Sequence, residues 1–125
     1  MKKNNTEKTN KLIAKALSFK QNGDLINAEI ILKDVLKLDS NNFIALNNIG
    51  NIYSAQNELK KAKIFFSKAI NIKHNYSNAI FNLALVNEEM GNKEEAIKFY
   101  KDAIKYDQDN LGIYYNLSRI DDGFF

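Results

Sequence analysis

The chain contains no cysteine and no proline, and its single histidine is His74. Without cysteine there can be no disulfide, no thiolate metal site and no thiol nucleophile. Without proline the commonest helix breaker is missing, which suits a chain that is helical almost throughout. One histidine with neither cysteine nor a carboxylate cluster beside it makes a poor metal centre, and His74 reads as a surface turn residue. No metal or other cofactor is expected. No stretch approaches the roughly 18 apolar residues of a membrane span. The polar start carries Lys2, Lys3 and Lys8, and Lys11, Lys15 and Lys20 break any apolar run behind it, so a signal-peptide core is absent. These features predict a soluble, cytoplasmic protein. A Gly-rich phosphate loop, a nucleophile elbow and a Ser/His/Asp set are missing as well, so the expectation is that it is not an enzyme.

Charge of one sign is also scarce. The formal net charge is only +3, with lysine mixed among acids along most of the chain. Lys60, Lys61, Lys63 and Lys68 form a basic helix face, but the interleaved exposed aromatics of a single-strand binder are lacking, so no nucleic-acid partner is expected. The acidic pairs Glu88-Glu89 and Asp121-Asp122 are adequately explained as solvated helix ends. With 125 residues and 45% hydrophobic content, the chain fits one folded domain rather than a disordered segment.

What is present is a repeat. Leu46, Ile49, Gly50 and Tyr53 recur at three- and four-residue spacing, one helical stripe, and Leu59, Ala62, Phe66, Ala69 and Ile70 form a second. A shift of 34 residues forward finds Ile80, Leu83, Ala84, Ala96, Tyr100 and Ala103. The same shift backward finds Leu12, Ala16, Phe19, Ala28, Leu32 and Val35. Gly23, Asn57 and Gly91 mark the turn inside each unit, since Gly and Asn tolerate the left-handed conformation that closes a helix. Asp24, Glu58 and Asn92 follow at the next helix start, with Asp and Asn favoured as caps and Glu favoured by the helix dipole. Ala28, Ala62 and Ala96 are small where two helix axes should meet closely. The predicted organisation is a flexible lead-in over 1–8, then units 9–42, 43–76 and 77–110, and a partial unit 111–125.

This period and its small-residue positions resemble the tetratricopeptide repeat. The resemblance implies an all-α fold: a right-handed superhelical α-solenoid of antiparallel helix pairs, here three units plus one extra C-terminal helix. Departures are visible. Lys15 and Asn87 stand where the middle unit has Ile49 and Tyr53, and Ser40, His74 and Gln108 occupy the turn position where the family usually has proline.

The family resemblance implies a non-catalytic protein-interaction module that binds a peptide or helix in its concave groove. Once each first helix commits its packing stripe, the opposite stripe is left for that groove. It holds Asn47, Asn48, Asn51 and Ser54 in the middle unit, and Asn78, Phe81, Asn82, Leu85 and Glu88 in the third. The first unit supplies Ile13 and Leu17, and the partial unit Tyr115 and Asn116. Asn48, Asn82 and Asn116 are equivalent, so a ladder of carboxamides is expected along the groove, each offering donor and acceptor to a peptide backbone. The family's clamp for chaperone terminal carboxylates needs Lys and Arg on successive first helices. In one frame Ile13, Leu17, Asn78 and Asn82 stand at clamp positions, and in the other Asn47, Gly112 and Asn116 replace the cations, so that clamp is not expected.

Two alternatives come from the C-terminal helix. It carries Leu111, Ile113, Tyr114, Tyr115, Leu117 and Ile120, then Phe124 and Phe125, whereas a terminal capping helix should turn a polar face outward. Either these repeats are the arm of a larger enzyme, such as a transferase, or this end self-associates.

Overall fold

Seven helices account for the chain in the computed structural model, which describes residues 2–123, with side chains from Asn5 onward. They are α1 (Lys2–Gln21), α2 (Leu25–Leu38), α3 (Phe43–Ala55), α4 (Leu59–Ile72), α5 (Ser77–Glu89), α6 (Lys93–Tyr106) and α7 (Leu111–Ile120), with no strand among the described residues. Each turn inside a unit is built the same way. Gly23, Asn57 and Gly91 adopt φ of +83°, +61° and +85°. The following N–H then reaches back five residues, from Asp24 to Phe19 O, Glu58 to Tyr53 O and Asn92 to Asn87 O, at 2.8 Å each time. A left-handed residue lets the chain reverse without leaving these last carbonyls bare.

The caps that follow differ from the expectation at one of the three sites. Asp24 caps α2, accepting from Asn27 N at 3.1 Å. Asn92 makes no side-chain cap bond to α6. Its amide instead donates to Asn87 Oδ1 at 3.3 Å. Asn87 is fully buried and spends its own amide on Leu83 O, so its carbonyl would otherwise lack a donor. The turns between units manage without proline. Asn42 and Asn110 accept from Ala45 N and Gly112 N at 3.0 Å. At the remaining turn Tyr76 sets its ring edge-on to Phe43, with centroids 4.9 Å apart.

The predicted flexible lead-in is not what forms: residues 2–8 are wound into the first turns of α1. Nothing in Lys2–Lys8 breaks a helix, and Thr9, only 3% exposed, anchors the segment against the fold. Its hydroxyl donates to Thr6 O at 3.0 Å. Met1, Phe124 and Phe125 lie outside the described residues.

The helices pack in sequence, each against the next, and α3 also touches α5 across the inner side. This is the all-α, right-handed superhelical solenoid of antiparallel pairs. Ala28, Ala62 and Ala96 are fully buried, as a close crossing requires. The closest approach is at Gly50, where an added Cβ would lie 2.5 Å from the Phe66 ring. Ile49, Leu83 and Leu117 are buried at equivalent rungs between units, whereas Lys15, the same rung of the first unit, is exposed. No unit lies before α1 among the described residues, and its outer side is exposed and carries charge. Buried apolar residues run as one cluster from Ile13 to Val86 and a second from Ile80 to Leu117. Each unit therefore depends on its neighbours for a core.

Candidate peptide-binding groove

The first helices of the units, α1, α3, α5 and α7, share the inner side of the solenoid, and the site is assembled from their inward turns. Asn47, Asn48, Asn51, Asn78, Phe81 and Asn82 line one hollow of about 320 Å³ together with Tyr76. Six of the expected groove residues are thus brought together by α3 and α5. Leu85, Tyr115 and Asn116 stand nearer the C-terminal end and do not line it, nor do Ser54, Glu88, Ile13 and Leu17.

The amides divide into those already engaged and those free. Asn48 is 8% exposed, and its amide donates to Ile44 O at 2.9 Å in its own helix. Asn82 Nδ2 donates across to Asn47 Oδ1 at 3.0 Å. Asn116 Oδ1 accepts from Arg119 at 3.1 Å. The expected ladder of Asn48, Asn82 and Asn116 is therefore replaced by a rung between Asn82 and Asn47, one position off, because Asn48 is drawn back to its own helix. That rung leaves the Asn82 carbonyl and the Asn47 amide for solvent or a ligand, since no buried polar side-chain atom goes unpaired among the described residues. Asn51 and Asn78 have no side-chain hydrogen bond and are half-buried and exposed. The wall therefore offers donors and acceptors without charge.

Apolar contact sits at one side. Phe81 packs at a tilt on Tyr100, with centroids 5.8 Å apart, and is half-buried, as is Leu85. Tyr115 is 67% exposed. Ile13, expected on the groove wall, is instead 8% exposed and belongs to the core, while Leu17 one turn later is open. Ile13 is the equivalent of Asn47, which is likewise buried at 5%, and its apolar side chain joins the core cluster.

Charge marks the two ends of the groove. Lys20 Nζ reaches Asn48 Oδ1 at 3.5 Å, and burial of half the side chain pulls its pKa below the ordinary lysine value. Glu88 lies at the other end. Arg119 of α7 pairs with it, and the Tyr100 hydroxyl donates to its other oxygen at 2.8 Å. The Arg119 hydrogen bond, helped by Tyr100 and opposed by desolvation, holds Glu88 below the usual carboxylate range. Burial, then the adjacent Glu88, pushes the Tyr100 hydroxyl far up. The reading of the sequence missed Lys20 and Tyr76. Lys20 was findable, because it lies one period before Ser54 and two before Glu88. Tyr76 belongs to a turn, where helical periodicity gives no signal.

Seven helices in stacked antiparallel pairs, with an amide-lined inner wall, define a repeat solenoid, a fold consistent with a protein-interaction module. The profile described as Tetratricopeptide repeat matches residues 44–76 and 77–110, over half of the chain, and the chain belongs to that family. No curated protein matches it in sequence. Among solved structures it is similar to MamA, at 23% identity and a TM-score of 0.83, covering 92% of this chain and 67% of that one. It is similar to the first TPR of Spaghetti (RPAP3), bound to the HSP90 peptide SRMEEVD, at 18% identity and a TM-score of 0.89, covering 93% and 94%. A Thermobaculum terrenum O-GlcNAc transferase mutant is similar at 20% identity and a TM-score of 0.84 over 90% of this chain, which spans 22% of that one. At these identities the likeness is one of fold. No helix among the described residues is long and apolar enough to cross a membrane.

Proposed function

We propose that this protein is a non-catalytic, cytoplasmic interaction module that holds an extended peptide along the inner wall of α3 and α5. The observation that carries the reading is the hollow of about 320 Å³ lined by five asparagines. The free groups of Asn47, Asn51, Asn78 and Asn82 would pair with peptide N–H and C=O, which a carboxamide can do in either sense. Phe81 and Leu85 would take an apolar side chain, and Tyr115 and Asn116 would flank the exit. Five uncharged amides match a backbone better than a charged tail, so the preferred ligand is defined by extended shape and one apolar anchor.

Selection of displayed random peptides against the protein tests this. Peptides that bind should lose about thirtyfold in affinity to the Asn51→Ala/Asn78→Ala variant, as expected for two lost hydrogen bonds of about 1 kcal/mol each in a partly wet site. Helicity should be unchanged, because neither side chain bonds within the fold. Equal binding to both proteins would contradict the groove. A second reading, the repeat arm of a larger enzyme, is favoured by the transferase neighbour, of which this chain spans 22%. A catalytic domain encoded in the same native reading frame would support it.

A further inference from the structure

The two ends of the rod carry opposite charge. Helix α1 has six lysines against one glutamate, a formal charge of +5. Residues 107–123 have four aspartates against one arginine, or −3. On α1 the exposed face contains Lys8, Lys11, Lys15 and Ser18, spaced as one helical stripe and turned away from α2. On α7 the exposed side contains Leu111, Tyr115 and Ser118, with Asp122 exposed in the turn just after the helix, at steps of four, three and four residues against three, four and three on α1. Leu111 is 80% exposed, more than any other large apolar side chain described, and Tyr115 is 67% exposed. The other first helices, α1, α3 and α5, each lie against a following second helix, and α7 has none among the described residues.

We infer that α1 of one copy of this chain docks on the open face of α7 of another, joining the solenoids head to tail. In an antiparallel arrangement Lys8 meets Asp122, Lys15 lies over the Tyr115 ring, and Leu111 lies beside Ser18. The protein already uses this contact on its own surface. Lys61, Lys68 and Lys73 stand 5.5, 4.9 and 5.1 Å from the ring centroids of Tyr53, Phe65 and Phe43. Lysine stems can cover apolar surface while their ammonium groups meet ring faces and carboxylates. The contact uses two different faces, so each copy keeps a free head or tail for a further copy and assembly runs on to chains or rings. Asp121 is held by Lys101 at 3.2 Å within its own copy and takes no part.

Mass in solution tests the contact. At low ionic strength the mass of the wild type should rise with concentration, and it should return to 14.3 kDa as salt screens the lysines. A head variant, Lys8→Glu/Lys11→Glu/Lys15→Glu, and a tail variant, Leu111→Lys/Asp122→Lys, should each be monomeric with native helicity. Mixed, they should form a complex of two and stop there, because one intact head meets one intact tail and the other junction is dead. The milder Lys11→Gln/Lys15→Gln pair covers the case of a misfolded head variant and should weaken association about tenfold. A wild type that stays monomeric, association that survives either variant, or a mixture that stays monomeric would overturn the inference. None of these substitutions touches the asparagines of the groove, so failure here leaves the peptide reading standing.

Discussion

Helices α3 and α7 occupy the same place in the repeat, two units apart, and meet very different surroundings. In α3 eight of 13 residues are buried, in α7 two of 10. Gly50 in α3 is pressed against Phe66, whereas Ser118, its equivalent in α7, is exposed. What fixes α7 is instead polar: Arg119 with Glu88, and Lys101 with Asp121 at 3.2 Å. An interior helix of this stack is held by shape, and the end helix by a narrow apolar seam plus ion pairs. That difference leaves the amides of α3 on a closely packed helix and the outer face of α7 open.

The largest test of this contrast is Gly50→Val. The branched side chain would drive into a Phe66 ring that is fully buried and cannot swing away, costing about 2 kcal/mol and lowering Tm. Ser118→Val on the exposed equivalent should change Tm little, and thermal unfolding of the two variants decides. If both behave alike, the close packing assigned to α3 is wrong.

Next is the pair of tyrosine–glutamate bonds. Tyr100→Phe should cost about 1 kcal/mol, since it removes the hydroxyl of a fully buried side chain that helps hold Glu88 toward α7. Tyr53→Phe should cost less, because Glu29 keeps Lys33 at 2.8 Å when the hydroxyl is gone. Denaturant titration of both, with hydrogen exchange in α7, separates them.

Acid should act on α7 before α3. The folded pKa of Glu88 is depressed, so its contribution is present above the unfolded carboxylate value, about 4.3, and is lost as pH falls through the lower folded value. Exchange protection of the Ile113–Ile120 amides, corrected for intrinsic rate, should drop in that window while α3 keeps its protection. Glu29 is depressed as well, by Lys33 first, but α3 is held mainly by buried apolar contacts. The smallest effect belongs to Lys101→Ala. That ion pair is half open to water and should contribute less than about 0.5 kcal/mol, vanishing at high salt.

Much of the architecture was legible because each rung repeats. Gly23, Asn57 and Gly91 could be read as left-handed turns, and Ala28, Ala62 and Ala96 as crossings, from residue type and spacing alone. The start of α1 was not legible: a polar helix with no breaker resembles a loose lead-in until Thr9 is seen buried. That six residues would lie together around one hollow was legible, since the stripe opposite a packing face must point elsewhere. Which amide bonds to which was not. Periodicity gives the helix face to within a residue, and Asn47 and Asn48 differ by one. Ile13 fails for a related reason: its equivalent Asn47 is buried too, and periodicity gives a face without saying how deep it sits.

The most direct test of the central claim is an NMR titration of the labelled protein with a peptide selected for binding. The side-chain amide signals of Asn47, Asn51, Asn78 and Asn82 should shift together, with the backbone of α3 and α5, and those of α2 and α4 should stay in place. Shifts confined to the outer helices, with the four asparagine amides unmoved, would contradict the account.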